Sequence, residues 1–179
     1  RLEKPLVSDD TKYMIRALKA FNIPVQEEKE AFIVTGKGGH LSTPNNDIFI
    51  GNAGTTMRFL TTFSALVPGK IRLDGDERMR QRPLADLLDC LQQMGVKANS
   101  ANGTGCPPID IEGGKVPGGE IQLAGNNSSQ YLTSLLLSAP YFENDTCINI
   151  QGDLTYKSYA DITLDIMKTF GVHVENESY

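Results

Sequence analysis

At 179 residues, with 40% apolar and 22% charged side chains, the chain has the length and composition of one globular domain with a substantial core. A formal charge of −5 argues against nucleic acid as a partner without excluding small anionic substrates, and no apolar run approaches the roughly 18–20 residues that a membrane span needs. Three scattered cysteines (Cys90, Cys106, Cys147) point to buried thiols in a reducing compartment, and two distant histidines (His40, His173) are poor material for a zinc site or a Ser-His-Asp triad.

In chain order, residues 12–25 (KYMIRALKAFNIPV) carry apolar side chains at helical spacing, stop at Asn22 and run into a short strand. Strands at Phe32 to Thr35 and Ile48 to Ile50 flank a Gly/Pro-rich turn region. Gly51 to Leu60 (GNAGTTMRFL) is a small-residue turn that opens a helix over 55–67, apolar on most faces. A strand and the segment Asp74 to Pro83 (DGDERMRQRP) follow, with Arg78, Arg80 and Arg82 packed into five residues. Residues 85–98 (ADLLDCLQQMGVKA) form a second amphipathic helix that stops at Gly95 and continues into a strand. Strands at Ile109 to Ile111 and Ile121 to Leu123 precede another mostly apolar helix over 128–139 (SSQYLTSLLLSA), whose first residues suit N-capping. A strand, Gly152-Asp153 and a third amphipathic helix over 161–174 complete the chain, with His173 as an outward-facing strand residue between Val172 and Val174.

These elements repeat. The stops at Asn22, Gly95 and Gly171 lie 73 and 76 residues apart, and the two Gly-Asp pairs lie 77 apart. Each unit reads strand, buried helix, strand, outer helix, strand, strand: an α/β fold of repeated βαβαββ units with buried helices and outer sheets. About two and a half units are present, so the chain is expected to begin and end inside repeats. The glycine-rich helix start beside three arginines is the expected site for a small anion, because free helix N–H groups and guanidinium donors both favour carboxylate or phosphate.

The runs SDD at 8–10, GNAGTTMRFL at 51–60, DGDERMRQRP at 74–83, NSSQYLTSLLLSAP at 127–140, GDLTYKSYADITL at 152–164 and MKTFGV at 167–172 resemble the EPSP synthase family across essentially the whole chain. The resemblance implies two similar domains, each of three repeated units around buried helices. Residues 1–179 would then be a single domain, incomplete at both ends, with the second domain absent. The implied reaction moves the enolpyruvyl group of phosphoenolpyruvate onto the 5-hydroxyl of shikimate 3-phosphate in the cytoplasm, without metal or organic cofactor, on the route to aromatic amino acids.

Residue by residue, the resemblance assigns Ser128, Ser129, Gln130, Tyr156 and Tyr159 to shikimate 3-phosphate, with Gln130 also reaching phosphoenolpyruvate. It assigns Gly54 and Arg82 to phosphoenolpyruvate. Tyr156 stands where the family often has a phosphate-binding serine, and its hydroxyl lies several Å farther out, which makes Thr155 and Ser158 alternative donors. Arg58 and Arg78 are expected to pair with acids or carbonyls, and Arg80 to be solvated. Phe59 is expected beside Gly54, where it bears on the fit of the phosphoenolpyruvate-competitive inhibitor glyphosate. No catalytic residue is assigned to this chain. The family's lysine-bearing N-terminal motif and its catalytic acids would lie outside these residues, so the isolated chain is expected to be inactive. The alternatives are a non-catalytic domain binding a phosphorylated ligand and an enolpyruvyl transferase acting on UDP-N-acetylglucosamine.

Overall fold

The computed structural model describes residues 1–126 and 128–177; Asn127, part of one family-like run, and Ser178 and Tyr179 lie outside them. Helix α1 (Asp9–Ala20) starts at Ser8, whose hydroxyl accepts the Thr11 N–H while Thr11 Oγ1 accepts the Ser8 N–H, so two otherwise orphaned donors are satisfied. The three outer helices end as their spacing predicts, with Asn22, Gly95 and Gly171 at φ 58°, 79° and 81°.

Strands β1 (Leu2–Glu3), β2 (Val25–Glu28) and β3 (Ala31–Val34) form an antiparallel sheet in the order β1-β3-β2. Strands β4 (Ile48–Phe49), β5 (Gly69–Asp74), β6 (Lys97–Ser100) and β7 (Ile109–Gly113) form a second sheet, β4-β5-β7-β6, in which only the β4/β5 pair is parallel. Strands β8 (Gly119–Ala124) and β9 (Thr146–Gln151) form a parallel pair. The remaining helices are α2 (Gly54–Ala65), α3 (Ala85–Gln93), α4 (Ser129–Ser138) and α5 (Lys157–Thr169).

The repeat is visible in the hydrogen-bond ladders. Elements β4-α2-β5-α3-β6-β7 make one whole βαβαββ unit. The preceding β1-α1-β2-β3 has the strand order of its last four elements, and the following β8-α4-β9-α5 has the parallel pair of its first four. Parallel neighbours need a helical crossover, which α2 and α4 supply. Both of these helices lie inside, packed on each other, with Met57, Leu60, Leu132 and Leu135 in the core.

Their contact is less apolar than the sequence suggests. Buried Thr61, Thr62, Ser64, Thr133, Ser134 and Ser138 line these helices. Ser134 Oγ hydrogen-bonds both the Arg58 carbonyl (2.7 Å) and Thr62 Oγ1 (2.6 Å). Small hydroxyl side chains let two backbones approach closely while satisfying each other, a feature that apolar counting does not register. Two further expectations change. Cys90 is buried, but Cys106 is partly buried and Cys147 exposed, all three free. Residues 172–177 form no ladder with any other described residue: Val172 and Val174 are half-buried and His173 exposed, as alternation predicts, but no described strand pairs with them.

Equivalent positions in the repeat are covered unequally. Cys90 on α3 and Met94 just after it are 1% and 3% exposed, and Cys90 donates to the Gln122 carbonyl of β8. Their counterparts, Ile166 on α5 and Phe170 just after it, are 49% and 81% exposed. On the other flank, Leu87 and Leu91 lie fully buried, whereas their counterparts Met14 and Leu18 on α1 are half-buried beside a groove of about 470 Å³. Leu91→Ala should therefore cost about 3 kcal/mol in urea unfolding, from lost burial plus a residual cavity. Phe170→Ala should cost less than about 0.5 kcal/mol. Equal losses at the two sites would contradict this placement of the core.

Candidate substrate site

Strands β4 and β5 run parallel, and two loops leave their carboxyl ends side by side. The Ile50 N–H donates to the Asp74 carbonyl and the Asp76 N–H to the Gly51 carbonyl. A side chain at Gly75 would collide with that Gly51 carbonyl, so glycine is what permits the contact. The Gly51–Leu60 and Asp74–Pro83 segments, distinct in sequence, are thus one structure in space.

The arginine-rich loop sorts its side chains. Met79 points inward and is fully buried, held by Asp76 Oδ1, which accepts its N–H. Arg80 turns back to Asp74 and donates twice, at 2.9 and 2.5 Å, so it is ion-paired rather than free in solvent. Arg78 has no ion pair among the described residues. Arg82 folds onto Gly54: a Cβ there would collide with the Arg82 guanidinium and stand 2.9 Å from Arg58 Nη1. Arg58 donates to the Gly54 carbonyl at 2.9 Å, the carbonyl pairing that the sequence predicts, and lies 5.7 Å from the centre of the Tyr131 ring. Two guanidinium groups therefore converge on one glycine, and among the described residues neither has a carboxylate partner. That arrangement suits an anion.

The second half of the site is the start of α4. Ser128 caps it by accepting the Gln130 N–H at 3.3 Å, which uses a lone pair and leaves the hydroxyl proton free to donate elsewhere. Ser129 follows, and its hydroxyl has no hydrogen bond among the described residues. Gln130 donates to Thr55 Oγ1 at 3.0 Å. Since Thr55 is the neighbour of Gly54, this bond sets the hydroxyl-rich helix start beside the Gly54–Arg82 cluster. Tyr131 makes a second tie, donating its hydroxyl to the Pro83 carbonyl at 2.7 Å, next to Arg82; burial pushes its phenol upward from its ordinary pKa.

Helix α5 closes one side. Thr163 donates to the Tyr159 carbonyl (2.8 Å), so in the 2.9 Å contact between Thr133 and Thr163 the proton comes from Thr133. This side-by-side bond lies one turn past Ser129 and Tyr159, so α4 and α5 begin together. Between α2, α4 and α5 lies a groove of about 630 Å³. Ser128, Ser129, Gln130, Tyr156 and Tyr159 all line it, while Gly54 and Arg82 sit just beyond Thr55. Thr155 and Ser158 do not line it. Phe59 lines this groove too, together with Thr55, the neighbour of Gly54. Sequence reasoning missed Thr55, Tyr131, Thr133 and Thr163; the available signal was the recurrence of hydroxyl residues at helical spacing along helices otherwise apolar. Among the described residues no cluster of His, Cys, Asp and Glu is suited to a metal ion.

Comparison with known proteins agrees with the likeness read from the motifs. A sequence model of the family described as EPSP synthase (3-phosphoshikimate 1-carboxyvinyltransferase) matches residues 1–179. A protein of Pseudoalteromonas translucida named 3-phosphoshikimate 1-carboxyvinyltransferase is 43% identical over 180 residues, covering 99% of this chain and 42% of its own length. The Haemophilus influenzae protein of the same name is 43% identical over 180 residues, covering 97% and 42%. The chain thus spans about two-fifths of the length of these relatives. A solved EPSP synthase from Acinetobacter baumannii superposes with a TM-score of 0.84 at 24% identity, over 97% of this chain and 38% of that one, which supports the fold.

The Arg80 pairing makes a pH prediction. The Arg80 guanidinium, helped by the Gly75 N–H, holds the Asp74 carboxyl below the usual carboxylate range despite its partial burial. A depressed carboxyl contributes stability that is fully present above its unfolded value, near 3.8, and lost as pH falls through its folded value. Asp74→Asn should therefore flatten the decline of the urea midpoint between about pH 4 and pH 2 relative to wild type. Identical declines would mean that the pair contributes nothing to stability.

Proposed function

This chain belongs to the EPSP synthase family, and on that premise we propose that it forms most of one domain of an enzyme transferring the enolpyruvyl group of phosphoenolpyruvate to the 5-hydroxyl of shikimate 3-phosphate. The observation that carries this reading is the Gln130–Thr55 hydrogen bond, which joins a hydroxyl-rich helix start to a glycine flanked by two arginines. Two anionic substrates that must react with each other need two adjacent anion sites, and this bond holds two such sites together.

In this reading Ser128 and Ser129 donate their hydroxyl protons to the phosphate of shikimate 3-phosphate, aided by the N–H groups of the α4 start. Tyr159 lies against the carbon ring. Arg82 swings off Gly54 to take phosphoenolpyruvate through two parallel N–H bonds, and the absent side chain of Gly54 leaves room for the ligand against the backbone. Gln130 touches both substrates. Transfer proceeds by addition and elimination. The 5-hydroxyl gives up its proton as its oxygen adds to C2 of phosphoenolpyruvate, and the methylene carbon gains a proton. The tetrahedral intermediate then expels phosphate as a methyl proton leaves. The residues of this chain bind and orient; the groups that move those protons belong to the second domain of the same enzyme, which works in the cytoplasm without metal or organic cofactor.

The unequal burial of repeat-equivalent positions supports an incomplete domain. In the whole unit α2 packs on α3, whose Leu87 and Leu91 are fully buried, and a helix of the same kind would cover Met14 and Leu18. A further unit would cover Ile166 and Phe170 as β8 covers Cys90. Without the second domain the half-site stays wet, and ion pairs in water are weak.

Titrating shikimate 3-phosphate into the chain and following amide shifts by NMR tests the binding assignment. Saturable shifts at Ser128, Ser129 and Gln130, weakened at least tenfold by Ser129→Ala, are expected. No shifts at millimolar ligand would overturn the reading that this half-site binds on its own. A coupled phosphate-release assay tests the division of labour: the isolated chain should show no turnover. Activity at even a thousandth of that of an intact relative would overturn the assignment of the chemistry to another domain. Saturable binding by a gene product that ends with this domain would favour the non-catalytic binding reading.

A further inference from the structure

Among the described residues three non-glycine positions hold a left-handed backbone: Lys4, Asn22 and Tyr156. Asn22 is of the type that tolerates this conformation and ends a helix there. Tyr156 is the only aromatic of the three. It sits at φ 62°, ψ 51°, immediately before α5, where glycine or asparagine would fit without strain.

Ordinary structural reasons for a tyrosine fail at this position. It does not cap α5, because its side chain makes no capping hydrogen bond. It does not serve the core, because it is 66% exposed. Its backbone geometry disfavours any large side chain. Its ring faces the groove, and that is the one thing a tyrosine there supplies. Tyr156 meets Tyr159 edge to face, with centroids 6.4 Å apart and planes at 74°. The two rings form a near-right-angled aromatic corner lining the same groove as Ser128, Ser129 and Gln130.

Such a corner has a definite chemical complement. A hydroxylated six-membered ring presents C–H groups on its faces and hydroxyls on its rim, and its C–H face packs on aromatic surface. A phosphate on that ring, held by the serines, would bring the ring body toward the corner. We propose that Tyr156 is a specificity-determining residue: its strained backbone aims a second aromatic wall at the substrate ring, so that the groove selects phosphorylated cyclic polyols over phosphate alone. This rests on the anion-binding reading of Ser128 to Gln130 given above.

The test compares wild type, Tyr156→Phe and Tyr156→Asn, each titrated by NMR with shikimate 3-phosphate and separately with inorganic phosphate. Wild type should bind shikimate 3-phosphate at least tenfold more tightly than inorganic phosphate. Tyr156→Phe keeps the ring and should keep that ratio within about threefold. Tyr156→Asn should lose most of it through weaker binding of shikimate 3-phosphate, and raise Tm by about 2–4 °C as the backbone strain is relieved. An asparagine variant with wild-type preference for shikimate 3-phosphate would overturn the proposal while leaving the anion site standing. Equal wild-type affinity for the two ligands would do the same. No shift with either ligand would overturn both this proposal and the reading on which it rests.

Discussion

The packing of α2 against α4 is the constraint on which the site depends. Both helices cross over between parallel strands and both are buried, so their relative register decides which loops meet at their ends. Three hydrogen bonds between residues more than 70 positions apart fix it: Gln130 to Thr55 at the start, and Ser134 to the Arg58 carbonyl and to Thr62 one turn deeper. Slipping one helix by a turn would bury unpaired hydroxyls and a carbonyl, at about 1–3 kcal/mol each. An interface of leucines alone would resist such a slip less, because apolar contact is non-directional. The same bonds bring the start of α4 to Thr55, the neighbour of Gly54, so the polar seam that fixes the core also aligns the two halves of the site.

Repetition explains why the halves differ yet meet. Each parallel strand pair ends in a loop at its carboxyl edge, the usual place for ligands in such sheets. After β5 that loop carries a Gly-Asp pair and then the arginine-rich segment; after β9 it carries a Gly-Asp pair and then Tyr156. One copy of the unit has become a source of cations and the other a source of aromatic surface. Both face the start of α4, because α4 packs on α2 on one side and on α5 on the other.

Much of this was legible in the sequence, for reasons that can be traced. Helices α1, α3 and α5 have clean apolar periodicity and left-handed stops, so their ends were visible. The buried helices stood out because Leu132, Leu135, Met57 and Leu60 leave no charged face. The hydroxyl seam was not legible, since a serine inside an apolar helix reads the same whether it faces a carbonyl or a methyl group. The fates of the three arginines were equally hidden: Arg80 finds Asp74 only because the loop turns back on β5, and Arg82 reaches Gly54 only because Gly51 and Gly75 allow two loops to touch. The absence of a ladder at 172–177 was invisible for a different reason. A strand pattern reports what a segment can pair with, and pairing also needs a neighbour.

Pairing finally distinguishes the arginines that build the structure from those that can serve a ligand. Arg72 and Asp110 bond twice across the β5/β7 ladder, at 2.6 and 2.8 Å, and Arg80 and Asp74 do so at the end of β5. Each of these charges is neutralised on the sheet surface, which leaves little field for a passing anion. Arg58 and Arg82 are treated differently in an acidic chain that has carboxylates to spare. They are brought to the same glycine, and among the described residues neither has a carboxylate partner. Two like charges held that close repel, while the Tyr131 hydroxyl, donating to the Pro83 carbonyl, ties the backbone beside Arg82 to α4. An anion between the guanidinium groups would relieve that repulsion. The half-site is therefore biased toward negative ligands by its own architecture, whatever the net charge of the chain.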